Sequence, residues 1–222
     1  MNNFINIFNA NIGYSKDSII LKNINLKIKE KDFVVIQGKN GSGKSTLLKT
    51  LYMKLIPING NFYLLNQLID KRSKIKILEL RKKIGVILQN NYLIPYFSIY
   101  KNIELTLQIQ EDKEINFSKR IKEIIEWVGL KNMNEKKIEH LSEGQRQKVI
   151  IARALICRPK ILIADEPMKS LDEETRNKLY FLLKSINKLG TTIILTDKEI
   201  DFSKRIKEII EWVGLKNMNE KK

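Results

Sequence analysis

The segment Gly38-Lys39-Asn40-Gly41-Ser42-Gly43-Lys44-Ser45-Thr46 constrains this chain more than any other, because it directly follows the apolar run Phe33-Val34-Val35-Ile36. A short unbroken apolar run reads as a strand buried on both faces. Residues 45–55 then read as a helix. A glycine-rich turn between a buried strand and a helix has a particular use. Without Cβ atoms its backbone N–H groups can turn inward and approach an anion closely. The following helix presents its positive N-terminal end to the same point, and Lys44 adds a mobile cation. Together these make a cradle for phosphate oxygens. The bland alternative, a glycine-rich turn without a ligand, fits neither the lysine nor the strand–helix context.

The rest of the chain extends this into an α/β fold. Residues 84–88, 161–164 and 193–195 are further buried-strand candidates. Residues 4–8 and 19–28 come first, and the second of these alternates, with Ile24, Leu26 and Ile28 set against Asn25, Lys27 and Lys29, as a half-buried strand does. Between residues 90 and 158 the pattern is helical, with an amphipathic stripe at Ile121, Ile124, Ile125 and Val128. Residues 172–189 read as another helix, stopped by Gly190. Buried strands alternating with helices predict a mostly parallel core sheet. The long helical insert predicts a separate helical lobe.

The 222 residues suffice for one domain with a sizeable core, and 43% hydrophobic content is ordinary for a globular chain. No stretch approaches the ~18 to 20 apolar residues of a spanning helix, and Met1-Asn2-Asn3-Phe4 does not open a secretory signal. Both features lead to the expectation of a cytoplasmic protein. The lone Cys157 excludes an internal disulfide and reads as a small buried hydrophobe on a helix. The net charge of +16 permits a nucleic-acid or acidic-lipid partner. The lysines, however, are spread along the chain and mixed with glutamates, so no specific nucleic-acid partner is expected. Attraction to acidic lipid heads is the easier reading.

A second constellation joins the first. Gly38-x4-Gly43-Lys44-Ser45 matches the P-loop pattern. The run Lys160-Ile161-Leu162-Ile163-Ala164-Asp165-Glu166-Pro167 is an apolar strand ending in two carboxylates, at the sheet edge where ligands sit. Ser45 and Asp165 have the hard oxygen donors that Mg²⁺ needs, and Glu166 is placed to deprotonate a water.

The motif Leu141-Ser142-Glu143-Gly144-Gln145-Arg146-Gln147 then resembles the signature of the ABC family of ATP-binding subunits. Gln89 looks like that family's Q-loop glutamine and ligand to the metal, Ser170-Leu171-Asp172 like its D-loop, and Tyr14 like the aromatic that stacks on adenine. The resemblance covers residues 4–196 and implies a P-loop NTPase fold that has a parallel core sheet, an N-terminal antiparallel β part and a helical subdomain and binds ATP and Mg²⁺. Two copies would dimerise head to tail, each phosphate loop facing the partner's Ser142, Gly144 and Gln145. The implied site comprises Lys44, Gln89 and Glu166 as catalytic residues. Gly38, Asn40, Gly41, Ser42, Gly43, Ser45, Thr46, Tyr14 and Asp172 would contact the nucleotide. Residues 80–95 and 98–103 are similar to the cell-division branch (FtsE-type), which implies an integral membrane partner of the FtsX-like permease kind. The lipoprotein-release and macrolide-efflux branches (LolD, MacB) share much of the same pattern. A peripheral position on the cytoplasmic face of the membrane follows from either.

Some features depart from the family. A histidine normally follows the last core strand, but here Asp197 follows Leu195-Thr196, and the chain's single histidine, His140, lies elsewhere as a surface or packing residue. This raises a second reading, a module that dimerises on ATP but hydrolyses it poorly. Glu143 and the pair Met168-Lys169 are further departures, expected not to touch the chemistry. Finally, residues 197–222 copy residues 112–137 at every position except Asn116 against Asp201. The ABC domain is therefore drawn at 1–196, with a helical subdomain at about 90–158. The second copy is expected to be a poorly packed helix or aberrant tail.

Overall fold

The computed structural model describes residues 3–70, 72, 74–88, 92–109, 116–169, 171–197 and 208–211. In chain order the first elements are β1 (Asn3–Ser15), β2 (Ser18–Lys29), β3 (Phe33–Gln37), α1 (Lys44–Leu51), β4 (Asn59–Leu64), β5 (Gln67–Leu68), α2 (Lys74–Arg81) and β6 (Ile84–Ile87). Then follow α3 (Ile99–Gln108), α4 (Phe117–Trp127), α5 (Glu143–Leu155), β7 (Ile161–Asp165), α6 (Glu173–Lys188), β8 (Thr192–Asp197) and β9 (Glu208–Glu211).

The strands form an antiparallel sheet in the order β2-β1-β4-β5 and a parallel sheet in the order β6-β7-β8-β3-β9. Side-chain alternation decides how they pack. In β2, Ile24, Leu26 and Ile28 are buried while Asn25, Lys27 and Lys29 face out. In β3 the two faces separate. Val34 and Ile36 join Leu47, Leu48 and Leu51 of α1 and the antiparallel sheet in one core. Val35 joins the other core, where Leu162, Ile193 and Leu195 meet residues of α3 to α6. The parallel sheet is thus covered on both sides, which is why its strands read as continuous apolar runs.

The register places the strand ends that matter along one edge. Gln37 pairs with Asp197, and Asp165 with Thr196. The loop after β3 and the acidic pair ending β7 therefore share the C-terminal edge of the sheet.

The structure departs from the sequence reading at three places. The helix expected over 45–55 ends at Leu51, because Met53 takes a positive φ of 61° and its carbonyl accepts from the Arg81 guanidinium at 2.8 Å. Helix α2 and strands β4 and β5 were not legible, being short and weakly patterned. The third correction concerns the repeat. Glu208–Glu211 is a strand, paired parallel to β3 from Val34↔Glu208 to Gln37↔Glu211. The identical tetrapeptide of the first copy, Glu123-Ile124-Ile125-Glu126, lies within α4. The unpaired edge of β3 supplies a ready row of hydrogen-bonding groups, and tertiary context overrides a weak intrinsic preference. The rest of the second copy beyond Asp197 lies outside the described residues.

Candidate functional site

The loop after β3 is shaped by its glycines. Gly41 and Gly43 have φ of 76° and 94°, a region that other residues enter only with strain. A Cβ on Gly43 would lie 2.4 Å from Leu21 Cδ2, so a side chain there would have to displace the buried Leu21 methyl where α1 starts against β2. Lys44, the first residue of α1, is buried, and its ammonium donates to the carbonyls of Gly38 at 2.5 Å and Lys39 at 3.0 Å. The cation is thus held over the loop. Ser42 N donates to Lys39 O at 3.2 Å, closing the turn through Asn40 and Gly41. Thr46 is buried one turn into the helix.

Tyr14, at the end of β1, is exposed and stands over the same helix. Lys49 Nζ donates to its hydroxyl at 2.9 Å and lies 5.3 Å from its ring centroid. The Lys49 bond holds the phenol below its ordinary pKa. This hydrogen bond fixes the ring beside α1.

At the other side of the loop the acidic pair forms a hydrogen-bonded array. Ser45 Oγ donates to Asp165 Oδ2 at 3.0 Å. Thr196 Oγ1 donates to Asp165 Oδ1 at 2.7 Å and accepts from the Glu166 backbone N–H at 3.0 Å. Glu166 is buried and sits in the left-handed region at φ 46°, a strained position of the kind found at active sites. The Ser45 hydroxyl and the Asp165 carboxylate converge as hard oxygen donors. They suit Mg²⁺, which takes a few protein oxygens and completes its shell with phosphate and water.

Lys169 overturns one expectation. It lies against the carboxylate expected to act as the base: its ammonium is 3.6 Å from Glu166 Oε2. Both residues belong to the turn after β7, where Lys169 N donates to Glu166 O at 3.2 Å, and that turn directs the side chain back onto the carboxylate. Glu143, by contrast, is exposed in the first turn of α5.

The signature forms its own small array. Ser142 caps α5, accepting at Oγ from Gln145 N at 3.3 Å, while Gln145 Oε1 accepts from Ser142 N at 3.1 Å. This capping box stabilises the helix start. A Cβ on Gly144 would meet nothing within 4 Å, so this turn presents open backbone. Asp172 caps α6, accepting from Thr175 N at 2.9 Å and Thr175 Oγ1 at 2.8 Å, and these bonds hold its carboxyl below the usual range. Asp172 thus has a structural task whatever else it contacts. His140 is exposed, beside Glu139. Gln89 and Ser170 lie outside the described residues. Cys157 follows the end of α5 rather than lying within it, half-buried, with burial pushing its thiol up to about 11.

Sequence reasoning missed several supporting residues. Thr196 links both acids, Lys169 pairs with Glu166, Lys49 holds Tyr14, and Gln147 Nε2 donates to Pro167 O at 3.0 Å, tying the signature helix to the acidic turn. Only register could have found Thr196, because a threonine ending a buried strand is otherwise unremarked.

A parallel sheet with a lysine-bearing phosphate loop and an acidic pair on its C-terminal edge defines a P-loop nucleotide-binding protein. More narrowly, the family model for ABC transporters matches residues 21–169, and the chain belongs to that family. It is 37% identical over 190 residues to the methionine import ATP-binding protein MetN of Francisella tularensis, covering 85% of this chain and 54% of that protein. It is 39% identical over 195 residues to an uncharacterised ABC transporter ATP-binding protein of Methanocaldococcus jannaschii, covering 87% of each. In structure it is similar to the dimeric ATP-binding cassette MJ0796 in a post-hydrolysis state bound to ADP and Pi. The TM-score there is 0.86 at 33% identity, over 95% of this chain and 96% of that one. The chain spans just over half the length of the methionine-import relatives. No helix among the described residues is long and apolar enough to cross a membrane.

Proposed function

We propose that this chain is the ATP-hydrolysing subunit of an ABC complex, working as a head-to-tail pair of copies that drives an integral membrane partner. The observation that carries this reading is the oxygen array Ser45–Asp165–Thr196–Glu166 beside the Lys44 loop. In it, the loop amides and Lys44 would grip the triphosphate, and Ser45 and Asp165 would hold Mg²⁺. When bound, that ion neutralises charge on the β- and γ-phosphate oxygens. Glu166 takes a proton from a water. The resulting hydroxide attacks the γ-phosphorus, the bond to the β–γ bridging oxygen breaks, and ADP leaves. The capped start of α5, with open backbone at Gly144, is the surface offered to the second copy's nucleotide.

The test is single-turnover γ-phosphate release compared with Glu166→Gln. Release no faster than in that variant would reject hydrolysis. Asp197, beside Gln37 at the loop's root, favours a second reading in which the pair forms on ATP but turns over slowly. An acid near the γ-phosphate repels it instead of donating to it.

For the partner, the resemblance of residues 80–95 and 98–103 to the cell-division branch suggests an FtsX-like permease. The relatives named for methionine import support an import permease, and we take that as the better reading. A groove of about 580 Å³ between α2 and α3, with exposed Leu78 and Ile109 at its rim, is our site for the permease's cytoplasmic segment. Co-purification of each permease type with this chain decides between them. The peripheral membrane position follows from the partner.

A further inference from the structure

We infer that the Thr196 hydroxyl is a positioning group that sets both acids of the site at once, Asp165 for the metal and Glu166 for the water. The inference rests on the hydrolytic reading above.

A threonine hydroxyl has one proton to give and two lone pairs. Here the proton goes to Asp165 Oδ1 at 2.7 Å and a lone pair accepts the Glu166 N–H at 3.0 Å. Each bond fixes the direction of the other, so the hydroxyl has a single useful orientation. The arrangement follows from register. Asp165 and Thr196 are partners across β7 and β8, and Thr196 pairs on its other side with Ile36 of β3. Flanked by strands on both sides, Thr196 is fully buried, and no water competes for it.

The two bonds do different work. The first occupies one carboxylate oxygen of Asp165 and leaves Oδ2 aimed at Ser45, where a metal ligand is needed. The second satisfies the N–H of Glu166 at its strained φ of 46°, which holds the backbone bend that aims the side chain. A valine has the same shape and neither bond. Thr196 touches no reacting atom in this account, so its effect passes entirely through the two acids.

The test compares Thr196→Val with Thr196→Ser in the full chain, reading two quantities: the Mg²⁺ concentration for half-maximal ATP binding, and the single-turnover rate of phosphate release. For Thr196→Val we expect Mg²⁺-free ATP binding within about twofold of wild type, a roughly tenfold rise in the Mg²⁺ requirement and at least a roughly tenfold slower release, the size of losing a hydrogen bond to a charged group. Thr196→Ser should recover both to within about threefold. Thr196→Ala carries the same expectation as valine if that variant does not fold. If valine matches wild type in both readouts, or serine fails as badly as valine, the inference is overturned while the hydrolytic reading stands. A wild-type chain that binds no Mg·ATP overturns both.

Discussion

Lys169 offers a sharp test, because it touches the proposed base. Lys169→Met keeps the aliphatic stem and removes the ammonium. The ammonium lies 3.6 Å from Glu166 Oε2, where the bare attraction at an effective dielectric of about 20 is roughly 5 kcal/mol. The Lys169 side chain is 56% exposed, so solvent screening and the entropy of holding a long side chain reduce this to about 1 kcal/mol. The ammonium competes with the attacking water for the same carboxylate oxygen. Removing it should therefore speed single-turnover phosphate release about fivefold, the rate equivalent of that energy. The gain should shrink at high salt, because salt already weakens the pair. Quench-flow release from pre-bound ATP, at low and high salt, measures both. A variant equal to or slower than wild type would refute the competition and make Lys169 a helper of the reaction.

The other expectations concern the switch position, the loop and the thiol. On the hydrolytic reading, Asp197→His would place a donor at the end of β8 and should raise the hydrolysis rate on the order of 10²-fold, read by steady-state phosphate release. Gly43→Ala combines a left-handed φ with a Cβ 2.4 Å from Leu21 Cδ2 and should cost ~3 kcal/mol of stability. Gly41→Ala, with nothing within 4 Å, should cost only ~1 kcal/mol, and thermal unfolding of the two separates space from backbone strain. Burial raises the Cys157 thiol to about 11. The folded state thus keeps a proton that the unfolded state loses, so this contribution to stability is intact at neutral pH and is lost as pH climbs toward 11. At pH 8 alkylation of the native thiol should be on the order of 10²-fold slower than in denaturant.

The parallel sheet, the loop and the acidic pair were legible because each depends on a local pattern. A short apolar run between turn residues reads as a buried strand, and glycines around a lysine read as an anion cradle. The helix beginning at Asp172 and its stop at Gly190 were legible for the same reason. What stayed hidden depends on contacts between distant segments. Thr196 meets the acids only through the pairing of β7 with β8. Lys169 looked inert until the turn after β7 folded it back onto Glu166. The tetrapeptide at 208–211 is indistinguishable from its helical copy at 123–126, and only the open edge of β3 makes it a strand. Charge gave little direction either, since +16 spread along the chain marks no single face.

The central claim is that the loop around Lys44 grips the triphosphate of ATP. Equilibrium binding of Mg·ATP to the full chain, beside Lys44→Ala, tests it most directly. Saturable binding by the native protein that the alanine variant loses is the predicted result. No binding by the native protein, or equal binding by both, would contradict the account.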